Sequence, residues 1–94
     1  MSVIVKICGI TNAEDATAAV QAGADALGFI FYESSPRYVP IEKAALVTWN
    51  LPSMIVKVGV FVDAEEEFVF RAIRECGLNL LQFHGDESPE YCLS

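Results

Sequence analysis

The chain is poor in positive charge, in histidine and in any long apolar run. Only 6 Lys and Arg residues stand against 13 Asp and Glu, a net charge of −7. So anionic a chain, with its cations scattered, is a poor match for nucleic acid or an anionic membrane surface. It does not exclude a phosphorylated small molecule, because backbone amides bind phosphate without net positive charge. No apolar segment approaches the roughly 18–20 residues that span a bilayer. The opening Met1-Ser2-Val3-Ile4-Val5-Lys6 lacks the basic and long apolar regions of a secretion signal. Cys8, Cys76 and Cys92 are an odd number with no CxxC or metal-type spacing, so neither a disulfide framework nor a zinc site is expected, and the cytoplasm is the expected compartment. His84 is the single histidine.

What is present is apolar: 53% of the 94 residues are hydrophobic. A chain this short buries only about 60–65% of the surface it exposes unfolded. That much apolar material suggests surfaces meant to be covered by something else. Residues 3–8 form a β-branched run broken only by Lys6, a strand expected to be buried on both faces. Thr11-Asn12-Ala13-Glu14 has the spacing of a capping box, with Thr11 as the cap of an Ala-rich helix ending at Ala22 and Gly23 as its left-handed stop. Residues 26–31 read as a second strand, 32–39 as a loop, and Pro40 as the first turn of a helix reaching Thr48. Residues 55–62 are a third strand, with Asp63 as N-cap and Glu66 three residues on, and that helix ends at Cys76-Gly77. Residues 80–84 are a fourth strand, and Ser88-Pro89-Glu90 opens a helix that barely begins. Trp49, Phe68 and Phe70 are expected to pack helices onto the strands.

Strands alternating with helices over short loops imply parallel strands and right-handed crossovers. An internal repeat points further. Ile4-Val5-Lys6-Ile7 recurs as Ile55-Val56-Lys57-Val58, and Gly23-Ala24-Asp25-Ala26-Leu27 as Gly77-Leu78-Asn79-Leu80-Leu81, at offsets of 51 and 54 residues. Duplication and convergence on βα physics both account for it. A βαβα period favours a closed parallel architecture. Four strands in this length extrapolate to eight in roughly 190–200 residues, near the lower end for a (β/α)₈ barrel. The expected fold is therefore the first four strands and three helices of a TIM barrel, residues 1–94 forming the N-terminal half of a single barrel domain.

Barrel chemistry sits at the C-terminal strand ends and the loops after them. That rule selects Cys8, the 32–39 loop with Arg37, Asp63 and His84. A strand cysteine is ordinarily a small buried hydrophobe. Cys8, however, ends its strand, precedes Gly9 and shares a face with Lys6 by period-two alternation, which would bring a cation toward the thiol. Arg37 could fork onto a carboxylate or phosphate or could be a solvated surface residue. His84 has Gln82 on its face and Gly85 after it, and a hydrogen-bonded structural role is its commoner fate. Asp63 is adequately explained as a helix cap, and Glu65-Glu66-Glu67 as a solvated first turn.

Taken together, five segments resemble phosphoribosylanthranilate isomerase of tryptophan biosynthesis. They are Lys6-Ile7-Cys8-Gly9-Ile10-Thr11, the 23–31 strand Gly-Ala-Asp-Ala-Leu-Gly-Phe-Ile-Phe, Ser35-Pro36-Arg37-Tyr38-Val39, Val58-Gly59-Val60-Phe61-Val62, and Leu81-Gln82-Phe83-His84-Gly85-Asp86-Glu87. The resemblance implies a cofactor-free, metal-free Amadori rearrangement of N-(5-phosphoribosyl)anthranilate. It makes Cys8 the general base, Arg37 the group holding the anthranilate carboxylate, and His84 a supporting residue of the pocket. It also implies a general acid on strand six and a phosphate grip in the loops after strands seven and eight, none of which this chain contains. The 94 residues alone are thus expected to be inactive. Two alternatives stand beside this. One is a non-catalytic half-barrel folding or assembly module, self-associating or pairing with a missing C-terminal half. The other is a related phosphosugar isomerase or epimerase barrel, which would need metal-binding histidines that a single His84 does not supply.

Overall fold

A computed structural model of the chain describes residues 4–84. Its elements run β1 (Lys6–Cys8), α1 (Ala13–Gln21), β2 (Ala26–Ile30), α2 (Ile41–Thr48), β3 (Val56–Val62), α3 (Glu66–Cys76) and β4 (Leu80–His84). The expected helix at Ser88-Pro89-Glu90 lies outside the described residues. The four strands form one parallel sheet in chain order, β1-β2-β3-β4, so β1 and β4 are its edges.

The period of two divides each strand between two faces. Ile7, Leu27, Phe29, Phe61, Leu81 and Phe83 belong to the core shared with the helices. The helices answer with small or branched residues one turn apart: Ala16 and Ala19 on α1, Ala44 and Val47 on α2, Val69, Ala72 and Cys76 on α3. Phe61 anchors this layer, stacked on Phe31 and Phe83 and edge-on to Phe68. Such ring pairs contribute about 0.5–1.5 kcal/mol each beyond their area burial. The other face carries Lys6, Cys8, Ala26, Gly28, Val56, Val58, Leu80 and Gln82, in register across the strands. Among the described residues no helix covers it, and Leu80 is 52% exposed.

That asymmetry corrects the expectation for β1. Lys6 and Cys8 are exposed rather than buried on both faces, because β1 is an edge strand whose second face is covered by no helix among the described residues. Local chemistry also moved two caps. Asn12, not Thr11, starts α1, its side chain accepting from the Asp15 N–H at 2.8 Å. Pro40 precedes α2 as its N-cap rather than entering the first turn. The stop of α1 is as expected: Ala24 and Gly23 donate back to Ala19 and Val20, both at 3.0 Å, around a left-handed Gly23. Phe68 packs as expected, but Trp49 and Phe70 are exposed, at 65% and 56%. The Trp49 indole N–H instead donates to the Glu75 carbonyl at 2.6 Å, tying the end of α2 to α3.

The internal repeat holds in one half and slips in the other. Asp25 and Asn79 play the same part: each side chain accepts from an N–H at the start of a strand, that of Val5 just before β1 at 2.9 Å and that of Lys57 in β3 at 2.8 Å. Their own N–H groups donate back to the carbonyls of Val5 and Lys57, both at 2.8 Å. Structurally, then, Val5 corresponds to Lys57, one residue away from the match of the Ile-Val-Lys tripeptides.

Candidate active site

The C-terminal strand ends bring Cys8 and Arg37 together. Cys8 pairs with Gly28 across the β1–β2 ladder, so both residues address the helix-free face. The thiol lies where a side chain at residue 28 would be: a Cβ on Gly28 would come within 2.9 Å of Cys8 Sγ. Beyond Cys8, the Gly9 and Ile10 N–H groups both donate to the Gly28 carbonyl at 3.0 Å. This doubled bond ends the strand and turns the chain at Gly9, whose φ of +90° few L-residues adopt. Over that turn lies the stem of Arg37, with Cγ at 3.3 Å from the position of a Gly9 Cβ. The Arg37 loop is shaped by its own bonds. The Arg37 N–H donates to Ser35 Oγ at 3.1 Å, and Val39 donates to the Ile30 carbonyl at 3.0 Å. One glycine therefore seats the thiol, and the next carries the arginine above it.

Cys8 is a free, exposed thiol, whereas Cys76 is buried and donates to the Ile41 carbonyl at 3.6 Å. Burial pushes the Cys76 thiol up to about 11, with the carboxylates of Glu75 and Glu42 adding to the effect. Of the two cysteines among the described residues, Cys76 is thus a packing residue and Cys8 is accessible. Lys6 does share the face of Cys8, but its ammonium is engaged: it donates to the side-chain oxygen of Gln82 on β4. His84 is described through its backbone, which pairs with Val62 at the end of β3.

Asp63 is not a helix cap. It follows β3 with φ of +47°, and the N-cap position of α3 falls to Glu65, which makes no side-chain capping bond. Asp63 is held in further interactions of its own. Sequence reasoning left Gly28 and Gln82 without a role in the site. The signal for Gly28 was absent, since only the pairing of two strands shows which residue underlies Cys8. The signal for Gln82 was its period-two spacing from His84, shared with the spacing of Lys6 from Cys8. Among the described residues, no group of three or more His, Cys, Asp or Glu side chains could hold a metal ion.

The chain that carries this strand end, with its exposed cysteine and the arginine loop, has relatives of known family. The family profile described as N-(5'-phosphoribosyl)anthranilate (PRA) isomerase matches residues 5–94. The chain belongs to this family. It is 60% identical over 88 residues to the N-(5'-phosphoribosyl)anthranilate isomerase of Geobacter sp. (strain M21), a match covering 94% of this chain and 43% of that one. It superposes on the crystal structure of phosphoribosyl anthranilate isomerase from Thermotoga maritima with a TM-score of 0.92 at 47% identity, over 98% of this chain and 45% of that one. A second structure of such an isomerase, bound to reduced 1-(o-carboxyphenylamino)-1-deoxyribulose 5-phosphate, also matches with a TM-score of 0.92 at 47% identity, over 98% and 47% of the two chains. The chain thus spans less than half the length of these relatives. Its parallel four-stranded sheet with three helices is the corresponding portion of a TIM barrel.

Proposed function

We propose that residues 1–94 are the first half of an isomerase barrel whose complete form converts N-(5-phosphoribosyl)anthranilate to 1-(2-carboxyphenylamino)-1-deoxyribulose 5-phosphate in the cytoplasm. One observation carries this: the exposed Cys8 thiol and the Arg37 stem lie at one strand end, in a chain that superposes on a relative holding a phosphorylated analogue of that product. Protonation of the furanose oxygen by a general acid from the closing half opens the ring to a Schiff base. The Cys8 thiolate then takes the C2 proton, and the resulting enolamine tautomerises to the ketone. No atom is gained or lost overall. Arg37, whose planar fork suits a carboxylate, holds the anthranilate carboxylate, and His84 lines the pocket.

A base without its acid forgoes roughly 10²–10⁴-fold of rate, and a substrate without its phosphate grip is poorly positioned. The 94 residues alone should therefore be inert, and the complete barrel active. The consumption of the fluorescent anthranilate substrate measures both. In the complete barrel, Cys8→Ala should lower kcat by roughly 10²–10⁴-fold without unfolding the protein. Arg37→Lys should act mainly on KM. Undiminished turnover in Cys8→Ala, or turnover by the isolated chain, would refute the assignment.

A second role, pairing of the chain with a copy of itself, draws on the exposed Val56 and Leu80 of the helix-free face and on β1 and β4, which among the described residues are the edges of the sheet. A monomer of this length in sedimentation equilibrium would end it.

A further inference from the structure

Lys6 and Gln82 stand on the two edge strands of the sheet, with β2 and β3 between them. In a flat sheet, three strand steps at about 4.8 Å would put them roughly 14 Å apart before any stagger. Yet the Lys6 ammonium donates to the Gln82 side chain. The sheet must curl for the two to meet, and it does so along a diagonal. The row through Lys6 runs to Ala26 and Val56, while Gln82 pairs with Val60, four residues further along β3. Four residues over three strand steps is close to the one residue per strand implied by a shear of eight over eight strands.

The same diagonal relates the two outer site residues. The row through Cys8 runs to Gly28 and Val58, and His84 pairs with Val62, again four residues along. His84 is thus placed relative to Cys8 as Gln82 is relative to Lys6, one step nearer the C-terminal end of the sheet. Backbone ladders fix each strand against its neighbour, but small errors in three successive pairings accumulate between β1 and β4. A direct bond between the edges removes that accumulation.

We propose that Lys6 and Gln82 are positioning residues: their hydrogen bond is a strut across the sheet that fixes the separation of Cys8 from His84 one step above it. The activity arm of the test rests on the isomerase function proposed above, and the structural arm does not. In the complete barrel, Lys6→Met and Gln82→Met should each lower kcat by about tenfold or more, since a misplacement near 1 Å costs up to about 10²-fold. KM should stay within about twofold, the double variant should be no slower than the worse single one, and Lys6→Arg should recover most of the rate. Losses that multiply in the double variant, or that fall on KM alone, would overturn the proposal. A parent barrel without turnover would refute the isomerase function instead. The strut is then judged by NMR, in which Lys6→Met should shift the His84 backbone amide while leaving α1 unmoved. An unmoved His84 amide would overturn it on its own.

Discussion

Gly28→Ala is the sharpest probe of how the site is built. The added methyl would stand 2.9 Å from Cys8 Sγ and 3.3 Å from both Cys8 Cα and Cβ, where ordinary contacts begin at 3.4 Å. The thiol alone must retreat by about 0.5 Å, taken from those two distances. Cys8 Cα cannot easily follow, because the next two N–H groups are both bonded to the Gly28 carbonyl. The end of β1 must therefore lift or the thiol must rotate, and either change moves the reacting group. Overpacking of this kind costs about 1–3 kcal/mol, or about 4–8 °C in Tm for each kcal/mol in a chain of this size. A misplacement of 0.5–1 Å at the base should cost roughly 10- to 10²-fold in kcat. Gly59→Ala supplies the control. Its methyl would crowd Leu78 at 2.6 Å and Phe61 at 2.9 Å, on the helix side of the sheet and away from Cys8. Thermal unfolding, kcat of the complete barrel and the rate of Cys8 modification by Ellman's reagent are read on both variants. Gly59→Ala should lose stability alone, and Gly28→Ala should also lose kcat and change the thiol rate. Equal effects of the two variants on kcat, or an unaltered Cys8 in Gly28→Ala, would refute the seating of the thiol on Gly28.

Three further outcomes follow from the same geometry. Asn12→Ala removes the side-chain acceptor of the Asp15 N–H and should destabilise the fold by about 1 kcal/mol in urea titration, whereas Thr11→Ala should do far less. Gly9→Ala forces an L-residue to φ of +90° and presses on Arg37 Cγ, so stability should fall by about 1–3 kcal/mol and KM in the complete barrel should rise. Cys76 has a folded-state pKa raised to about 11 from 9.0, so the unfolded chain releases this proton first. The stabilisation from its burial is therefore complete below pH 9 and lost as pH rises to about 11, and Tm should fall more steeply across that window in the parent than in Cys76→Ala.

The order of elements was legible because each signal was local. β4 spans the expected 80–84 and α3 ends where Gly77 follows Cys76. The cap of α1 was ambiguous for a local reason too: Thr11 has Glu14 three residues on, and Asn12 has Asp15. Two caps one residue apart were equally satisfiable, and the backbone chose Asn12. Asp63 misled differently. Its spacing to Glu66 imitates a cap, but the turn after β3 takes a left-handed residue there, and the N-cap of α3 falls two residues later, at Glu65. The burial of β1 was illegible in principle, since an apolar run does not reveal whether its second face will find a partner.

The repeated tripeptide shows why faces must be taken from register rather than from motif. Ile-Val-Lys occurs before Ile7 and before Val58, so sequence alone makes Lys6 and Lys57 equivalents. The hydrogen bonds of Asp25 and Asn79 instead align Val5 with Lys57, a slip of one residue. In a strand, a slip of one exchanges the faces. Lys57 accordingly pairs with Leu27, a core residue on the helix side, while Lys6 pairs with Ala26 on the open side. Of two lysines in the same local sequence, only Lys6 stands on the face of Cys8 and can reach Gln82. The slip is what turns an unremarkable strand lysine into a neighbour of the site, and Lys57→Met should accordingly leave kcat of the complete barrel unchanged where Lys6→Met lowers it.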